Sequence, residues 1–212
     1  MTTLGSNHRY QRYVLKYYNR FANLYDLGEF TRHGTRHKAV ELSGWSAGER
    51  VLDMCAGTGG LGLRFALRGA EVVGVDLARG MLKRASAKTN GSRAHWFEMD
   101  ATRLAFEDRA FDVSVLSLAL HHMPEPVQIN VLRELRRVTR RRVVIIEPDV
   151  PIKPNWKPLW LFVANIIDES EYMFEWMKQD FGATCRTAGF KLEAIHSSTL
   201  WLHRIVLCDP NH

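Results

Sequence analysis

The stretch DMCAGTGGLG, Asp53 to Gly62, carries a G-x-G-x-x-G pattern in Gly57, Gly59 and Gly62. That spacing marks the first strand-to-helix turn of folds that hold a dinucleotide such as NAD, where bare backbone approaches a pyrophosphate at a helix N-terminus. The same stretch opens with Asp53, a carboxylate where a dinucleotide fold has an apolar residue. The glycines and the aspartate therefore ask for different ligands.

Reading outward settles the fold class. RVLDM reads as a strand before the glycines and GLGLRFALRG as a helix after them. EVVGVD is a strand, ARGMLKRASAK a helix, AHWFEMD a strand and FDVSVLSLA another. PEPVQINVLRELRRVT is a helix opened by prolines, followed by the strand RVVIIEP. Strand and helix in alternation predict an α/β, doubly wound, mostly parallel sheet with helices on both faces. FKLEAIHSST and LWLHRIVLCD add two strands, for seven in all, with too little chain between them for a parallel crossover. A short connection requires antiparallel pairing, so the sheet ends in an antiparallel hairpin. No linker or repeat interrupts the chain. It reads as one domain over 1–212: a helical N-terminal segment at 1–45, a cofactor-binding core at 50–150, a helical lid at 151–180 and the hairpin at 190–208.

Ligands of open α/β sheets bind beyond the carboxyl ends of the strands. Asp76 ends EVVGVD, where a carboxylate accepts hydrogen bonds from ribose hydroxyls in either nucleotide class. Asp53 separates the classes. It repels a pyrophosphate and suits a cationic ligand such as S-adenosylmethionine, which carries an ammonium and a sulfonium. Asp100 ends the third strand, where it can accept from an adenine amino group. Taken singly, each is a common cap or turn residue. That account explains the trio poorly.

The composition bounds the alternatives. The chain has 212 residues, 46% hydrophobic, 25% charged and net charge +6, enough for one sizeable core. No apolar run reaches the length of a membrane span, and the N-terminus lacks a secretory h-region. Three scattered cysteines, Cys55, Cys185 and Cys208, fit a reducing cytoplasm. The arginines of LRELRRVTRRRVV read as a solvated helix face and its C-terminus, without the aromatic motifs of a nucleic-acid binder. RHGTRH spaces His33 and His37 at i, i+4 but has no accompanying glutamate, and reads as a basic surface turn with no metal.

The segments VLDMCAGTGG, VVGVDLARGML, MDATRLAFEDRAFDVSVLSLALHHMPEP and RVVIIEP resemble the successive motifs of class I S-adenosylmethionine-dependent methyltransferases. The similarity is greatest to the ubiquinone/menaquinone C-methyltransferase-like group, whose N-terminal motif YYNRFANLYD resembles and whose closing strand LWLHR resembles. It extends from about Tyr17 to Leu207. It implies S-adenosylmethionine as cofactor, with Asp53, Gly57, Thr58 and Gly59 around the methionine end. It implies Asp76 on the ribose, Leu77 beside the adenine, Asp100 and Ala101 flanking it, Ser117 beside the cofactor and Tyr25 above it. Cys55 departs from the glycine or alanine usual in the first motif. SLALHH also departs, with His121 where the quinone enzymes carry arginine and His122 where they carry asparagine. That region faces the acceptor in the family, so a quinone is not carried over.

Methyl transfer to carbon or oxygen also removes a proton, and histidine titrates near neutrality. His121 and His122 are therefore the catalytic candidates, His121 first because it takes the arginine position; Tyr18 and His203 are weaker ones. The tryptophans of NWKPLWLFV and the N-terminal tyrosines suit an apolar lid over a hydrophobic small-molecule acceptor, and with nearby arginines a peripheral membrane contact. Three other functions compete: N-methylation of a phospholipid or other small amine, an NAD-dependent oxidoreductase, and a non-catalytic nucleic-acid-binding module. The carboxylate trio opposes the oxidoreductase and the cofactor loop opposes the binding module. The oligomeric state is not legible.

Overall fold

The computed structural model describes residues 29–149, 172–197 and 203–211, together with Arg12, Leu15, Lys16, Tyr18, Asn19, Ala22, Tyr25 and Asp26. In chain order the elements are α1 (Glu29–Leu42), β1 (Arg50–Met54), α2 (Gly62–Ala66), β2 (Glu71–Asp76), α3 (Arg79–Ala87) and β3 (Ala94–Glu98). Then follow β4 (Phe111–Ser117), a 3₁₀ turn (Leu120–His122), α4 (Glu125–Val138), β5 (Thr139–Pro148), α5 (Met173–Trp176), α6 (Phe181–Thr187), β6 (Lys191–Ser197) and β7 (His203–Asp209).

The seven strands form one sheet in the order β3-β2-β1-β4-β5-β7-β6. β1 to β5 run parallel, and β7 is antiparallel to both β5 and β6. The expected mixed sheet is present. The last strand of the chain, however, is inserted between β5 and β6 instead of lying at the edge. The reason lies in the side chains. Ile205, Val206, Leu207 and Cys208 of β7 are buried, whereas β6 alternates between half-buried and exposed residues, as an edge strand does.

Alternating positions on the strands serve two cores. Leu52, Val73, Leu116, Val143, Ile145 and Val206 face α4, α5 and α6, where Val127, Val131, Leu135, Trp176 and Phe181 meet them. Val51, Val72, Val113, Val115, Val144 and Ile205 face α1 and α2, with Ala39 and Phe65. The central strands are apolar on both faces because helices cover both.

Several sequence expectations need correction. The third strand ends at Glu98, so Asp100 lies in the turn after it. The arginine run is divided between two elements, because α4 stops at Val138 and Arg140–Arg142 belong to β5. Four of those arginines are ion-paired. Arg137 bridges Glu134 and Asp108 at 2.8 Å each, Arg140 pairs with Asp112 at 3.0 Å, Arg141 with Glu49 at 2.7 Å and Arg142 with Glu193 at 3.1 Å. RHGTRH is part of helix α1, and its histidines turn to Arg64 (His33, 3.1 Å) and Arg68 (His37, 3.0 Å) of the α2 region. Most of the lid expected at 151–180, the N-terminal aromatic segment apart from the residues named above, and the start of LWLHR lie outside the described residues.

Candidate active site

The chain winds from β1 outward to β3, then crosses back to β4 on the other side of β1. This switch leaves a crevice at the carboxyl ends of β1 and β4. A cavity of about 820 Å³, its open mouth included, lies there. Asp53 of β1, Asp76 of β2 and Ser117 of β4 reach it from the strand ends. Leu77, Asp100 and Ala101 line it beside them, as do Gly57 of the glycine loop and Tyr25 of the N-terminal segment.

The glycines of the opening motif have separate reasons to be glycine. Gly57 has φ 55° and lines the cavity. Gly59 has φ 75°, and a Cβ there would lie 2.7 Å from the Trp96 indole. A Cβ on Gly74 would lie 2.1 Å from the same ring, so Trp96 lies under the loop on glycine-cleared ground. Its Nε1 donates to Thr89 Oγ1 at 2.7 Å, which fixes the indole. A Cβ on Gly62 would meet the Asp53 carboxylate at 2.8 Å, and the Gly62 N–H donates to Asp53 Oδ2 at 2.8 Å. Only Gly57 opens backbone to a ligand. Gly59 does not line the cavity. Nor does Thr58, whose hydroxyl donates to Asp26 Oδ1 at 2.6 Å and so ties the loop to the N-terminal segment. Lys88 and Arg84 hold the other side of Asp26.

The cavity is acidic. Burial pushes the Asp53 carboxyl up to about 7, against the Gly62 N–H and the Arg36 charge, while Asp76 adds to the rise. Burial also raises Asp76, whose carboxylate accepts from the Ala78 and Gly57 N–H groups at 2.8 Å each. Burial and the carboxylates of Asp76 and Asp53 hold the Cys55 thiol well above its ordinary range, so it is not a nucleophile. Asp100 Oδ1 accepts from the Thr102 N–H and hydroxyl at 2.8 Å each, so it shapes its turn as well as lining the cavity. Ser117 Oγ is buried on the cavity wall and meets no hydrogen-bond partner among the described residues. Buried carboxylates and an unsatisfied hydroxyl around one cavity fit a ligand that is cationic and rich in donors, as S-adenosylmethionine is.

The histidine pair divides. After Ser117 the chain turns through Leu118, at φ 56°, into the 3₁₀ turn. His122 faces the cavity, its ring 5.6 Å from that of Tyr18. His121 does not line the cavity; it is 5% exposed, with Nδ1 2.6 Å from Glu147 Oε2 and its ring against Trp176. Of the pair, His122 rather than the first-ranked His121 lines the cavity. His203 lies off the cavity, 3.5 Å from Thr35 Oγ1, and burial, followed by the Arg32 charge, brings its imidazole down to about 4.

Sequence reading missed Arg36, Met81, Met99 and Glu147. Arg36 is 4% exposed and lines the cavity, and its signal was helical spacing with buried Ala39 and Val40. The glutamate in RVVIIEP was an acidic residue inside an apolar strand, a signal equally available.

A family description for a methyltransferase domain matches residues 51–142. The chain is 36% identical over 127 residues to a demethylmenaquinone methyltransferase of Paenarthrobacter aurescens, covering 59% of this chain and 49% of the relative. It therefore spans about half the length of that relative. It is 32% identical over 187 residues to a ubiquinone/menaquinone biosynthesis C-methyltransferase of Bdellovibrio bacteriovorus, covering 82% of this chain and 78% of the other. Among solved structures, an S-adenosylmethionine-dependent methyltransferase from Aquifex aeolicus shares the fold, with TM-score 0.64 and 19% identity over 82% of this chain and 88% of that one.

Proposed function

The chain belongs to the class I S-adenosylmethionine-dependent methyltransferases, in the ubiquinone/menaquinone C-methyltransferase-like group, and from that premise we propose that it methylates carbon or oxygen of a small hydrophobic or aromatic acceptor. The observation that carries the reading is the gathering of Asp53, Asp76, Ser117 and His122 on one cavity. Because the relatives are named for demethylmenaquinone and ubiquinone/menaquinone chemistry, the acceptor class favoured is a reduced quinone ring.

In this reading Asp53 holds the ammonium end of the cofactor and Asp76 its ribose hydroxyls. Leu77, Asp100 and Ala101 hold the adenine, and Ser117 Oγ donates to or accepts from the ligand beside it. Gly57 allows close backbone approach, and Tyr25 closes the site from the N-terminal side. Thr58 and Gly59 act one layer back, through Asp26 and Trp96. The bound cofactor supplies a methyl group on a sulfonium. The protein holds the acceptor atom in line with it, a positioning effect that can contribute several kcal/mol. His122 takes the proton that the acceptor loses as methyl replaces hydrogen. We take residues 1–212 as one catalytic domain of the cytoplasm that meets its hydrophobic acceptor at a membrane surface. No helix among the described residues is long and apolar enough to cross a membrane.

The test is calorimetry with S-adenosylhomocysteine and NAD, followed by methyl transfer from labelled S-adenosylmethionine to a short-chain demethylmenaquinol. Binding of S-adenosylhomocysteine without NAD and labelling of the ring are expected. Tight NAD binding alone would overturn the reading.

A further inference from the structure

We propose that Glu147 and His121 form a positioning pair that presents His122 to the acceptor, an inference that rests on His122 being the proton acceptor of the site. Glu147 is the penultimate residue of β5, at 0% exposure, in a strand otherwise apolar over its last residues. A buried carboxylate costs free energy that an apolar side chain of similar size would avoid, so packing alone does not explain it. Among the described residues, the hydrogen bonds of its carboxylate fall on the turn after β4. Oε1 accepts from the Ala119 N–H at 3.0 Å and the Leu120 N–H at 2.9 Å, while Oε2 is 2.6 Å from His121 Nδ1.

These contacts fix the turn at its backbone and at a ring. Leu118, at φ 56°, reverses the chain directly after Ser117, and its N–H is held by Ile146 O at 2.8 Å. The amides of the next two residues would otherwise be buried donors facing no strand. Burial opposes the charge on Glu147, but the His121 ring and the two N–H donors outweigh it and keep the carboxylate ionised. An ionised carboxylate only accepts, so His121 Nδ1 carries the proton and the tautomer and plane of that ring are set. The His121 ring lies with its centroid 4.0 Å from that of His122, tilted by 42°, and Trp176 backs it at 6.2 Å. Tyr18 also meets His122, with ring centroids 5.6 Å apart. His122 thus touches both a ring locked by Glu147 and a ring from the N-terminal segment. Neither Glu147 nor His121 lines the cavity, so both act through His122.

The experiment is a double-variant cycle. Single-turnover methyl transfer to short-chain demethylmenaquinol is measured for Glu147→Gln, His121→Gln, His122→Gln and each of the first two combined with His122→Gln. S-adenosylhomocysteine affinity is measured by calorimetry and imidazole N–H resonances by NMR. Glu147→Gln is expected to lower turnover by about 10- to 100-fold, the scale of a misplaced reacting group, with affinity for S-adenosylhomocysteine held within about threefold. In the His122→Gln background its effect should shrink to less than about threefold, because the route of action is gone. The His121 N–H resonance should be lost, and the His122 resonances shifted, in Glu147→Gln. Equal losses in both backgrounds, or a loss that appears as weaker S-adenosylhomocysteine binding at retained turnover, would overturn the proposal. If Glu147→Gln does not fold, His121→Gln makes the same comparison from the other partner. A fully active His122→Gln overturns the proton-acceptor reading and this inference with it; an impaired His122→Gln without coupling overturns this inference alone.

Discussion

Gly57, Gly59 and Gly62 satisfy one motif but face a cavity, an indole and a carboxylate in turn. Gly59→Ala puts a methyl group 2.7 Å from Trp96 at a φ of 75°, so it combines a clash with backbone strain. A loss of about 1–3 kcal/mol is expected in denaturant unfolding, with weaker cofactor binding as the loop shifts. Asp53 makes a second test, through pH. Its folded-state carboxyl is raised by burial to about 7 from an ordinary 3.8, so the folded protein without ligand takes up a proton that the unfolded chain releases across that interval. Its contribution to stability is therefore most favourable below the unfolded value and is lost as pH rises toward 7. The ammonium of the cofactor wants the ionised form. Affinity for S-adenosylmethionine should then rise with pH up to about 7, by at most about tenfold per unit, and Asp53→Asn should flatten that dependence in calorimetry. A dependence unchanged by the substitution would remove Asp53 from the cofactor contacts.

At the scale of elements, the turn region between β3 and β4 brings Asp100 and Ala101 to the cavity without belonging to either strand. Arg137 of α4 holds its far half. Its guanidinium donates to the carbonyls of Leu104 (3.1 Å) and Phe106 (2.8 Å) and pairs with Asp108 and Glu134. Glu134 in turn accepts from the Leu104 N–H at 2.7 Å. Arg137→Met keeps the aliphatic length but leaves two carbonyls and two carboxylates without this donor. A stability loss of about 1–3 kcal/mol is expected, with weaker S-adenosylhomocysteine binding from the adenine side. Unchanged binding beside lower stability would mean that the cavity half of the loop is held independently. The arginine run misled because charge density along a sequence does not tell which carboxylates the fold brings opposite it. Only Glu134 is near in sequence; Asp108, Glu49 and Glu193 arrive from elsewhere in the chain.

At the scale of the molecule, the insertion of β7 between β5 and β6 predicts how the C-terminal region fails. Deleting residues 198–212 removes β7 and leaves β5, with Val144 and Ile146, as an open apolar edge, while β6 loses the strand it pairs with among the described residues. Aggregation or loss of cooperative unfolding is expected, read by light scattering and circular dichroism. A truncated chain that stays soluble and unfolds cooperatively would contradict that account. The sequence by itself determined the elements and their class. A two-residue period, prolines opening a helix and glycines closing one are local properties, and local sterics and burial act on them wherever the strands end up. For the same reason Asp53 and Asp76, at strand ends, were legible as wall residues of one site, and the family resemblance added Ser117. Only the tertiary structure decided what depends on partners remote in sequence. It chose His122 over His121 for the cavity, because Glu147, 26 residues on, takes the Nδ1 of His121. It set Gly59 and Thr58 behind the cavity, because Trp96 and Asp26 occupy their outer sides. It brought Arg36 from the inner face of α1 to the wall beside Asp53. Each of these outcomes is a pairing of groups across the fold, and the free energy of a pair is not written in either residue's local sequence.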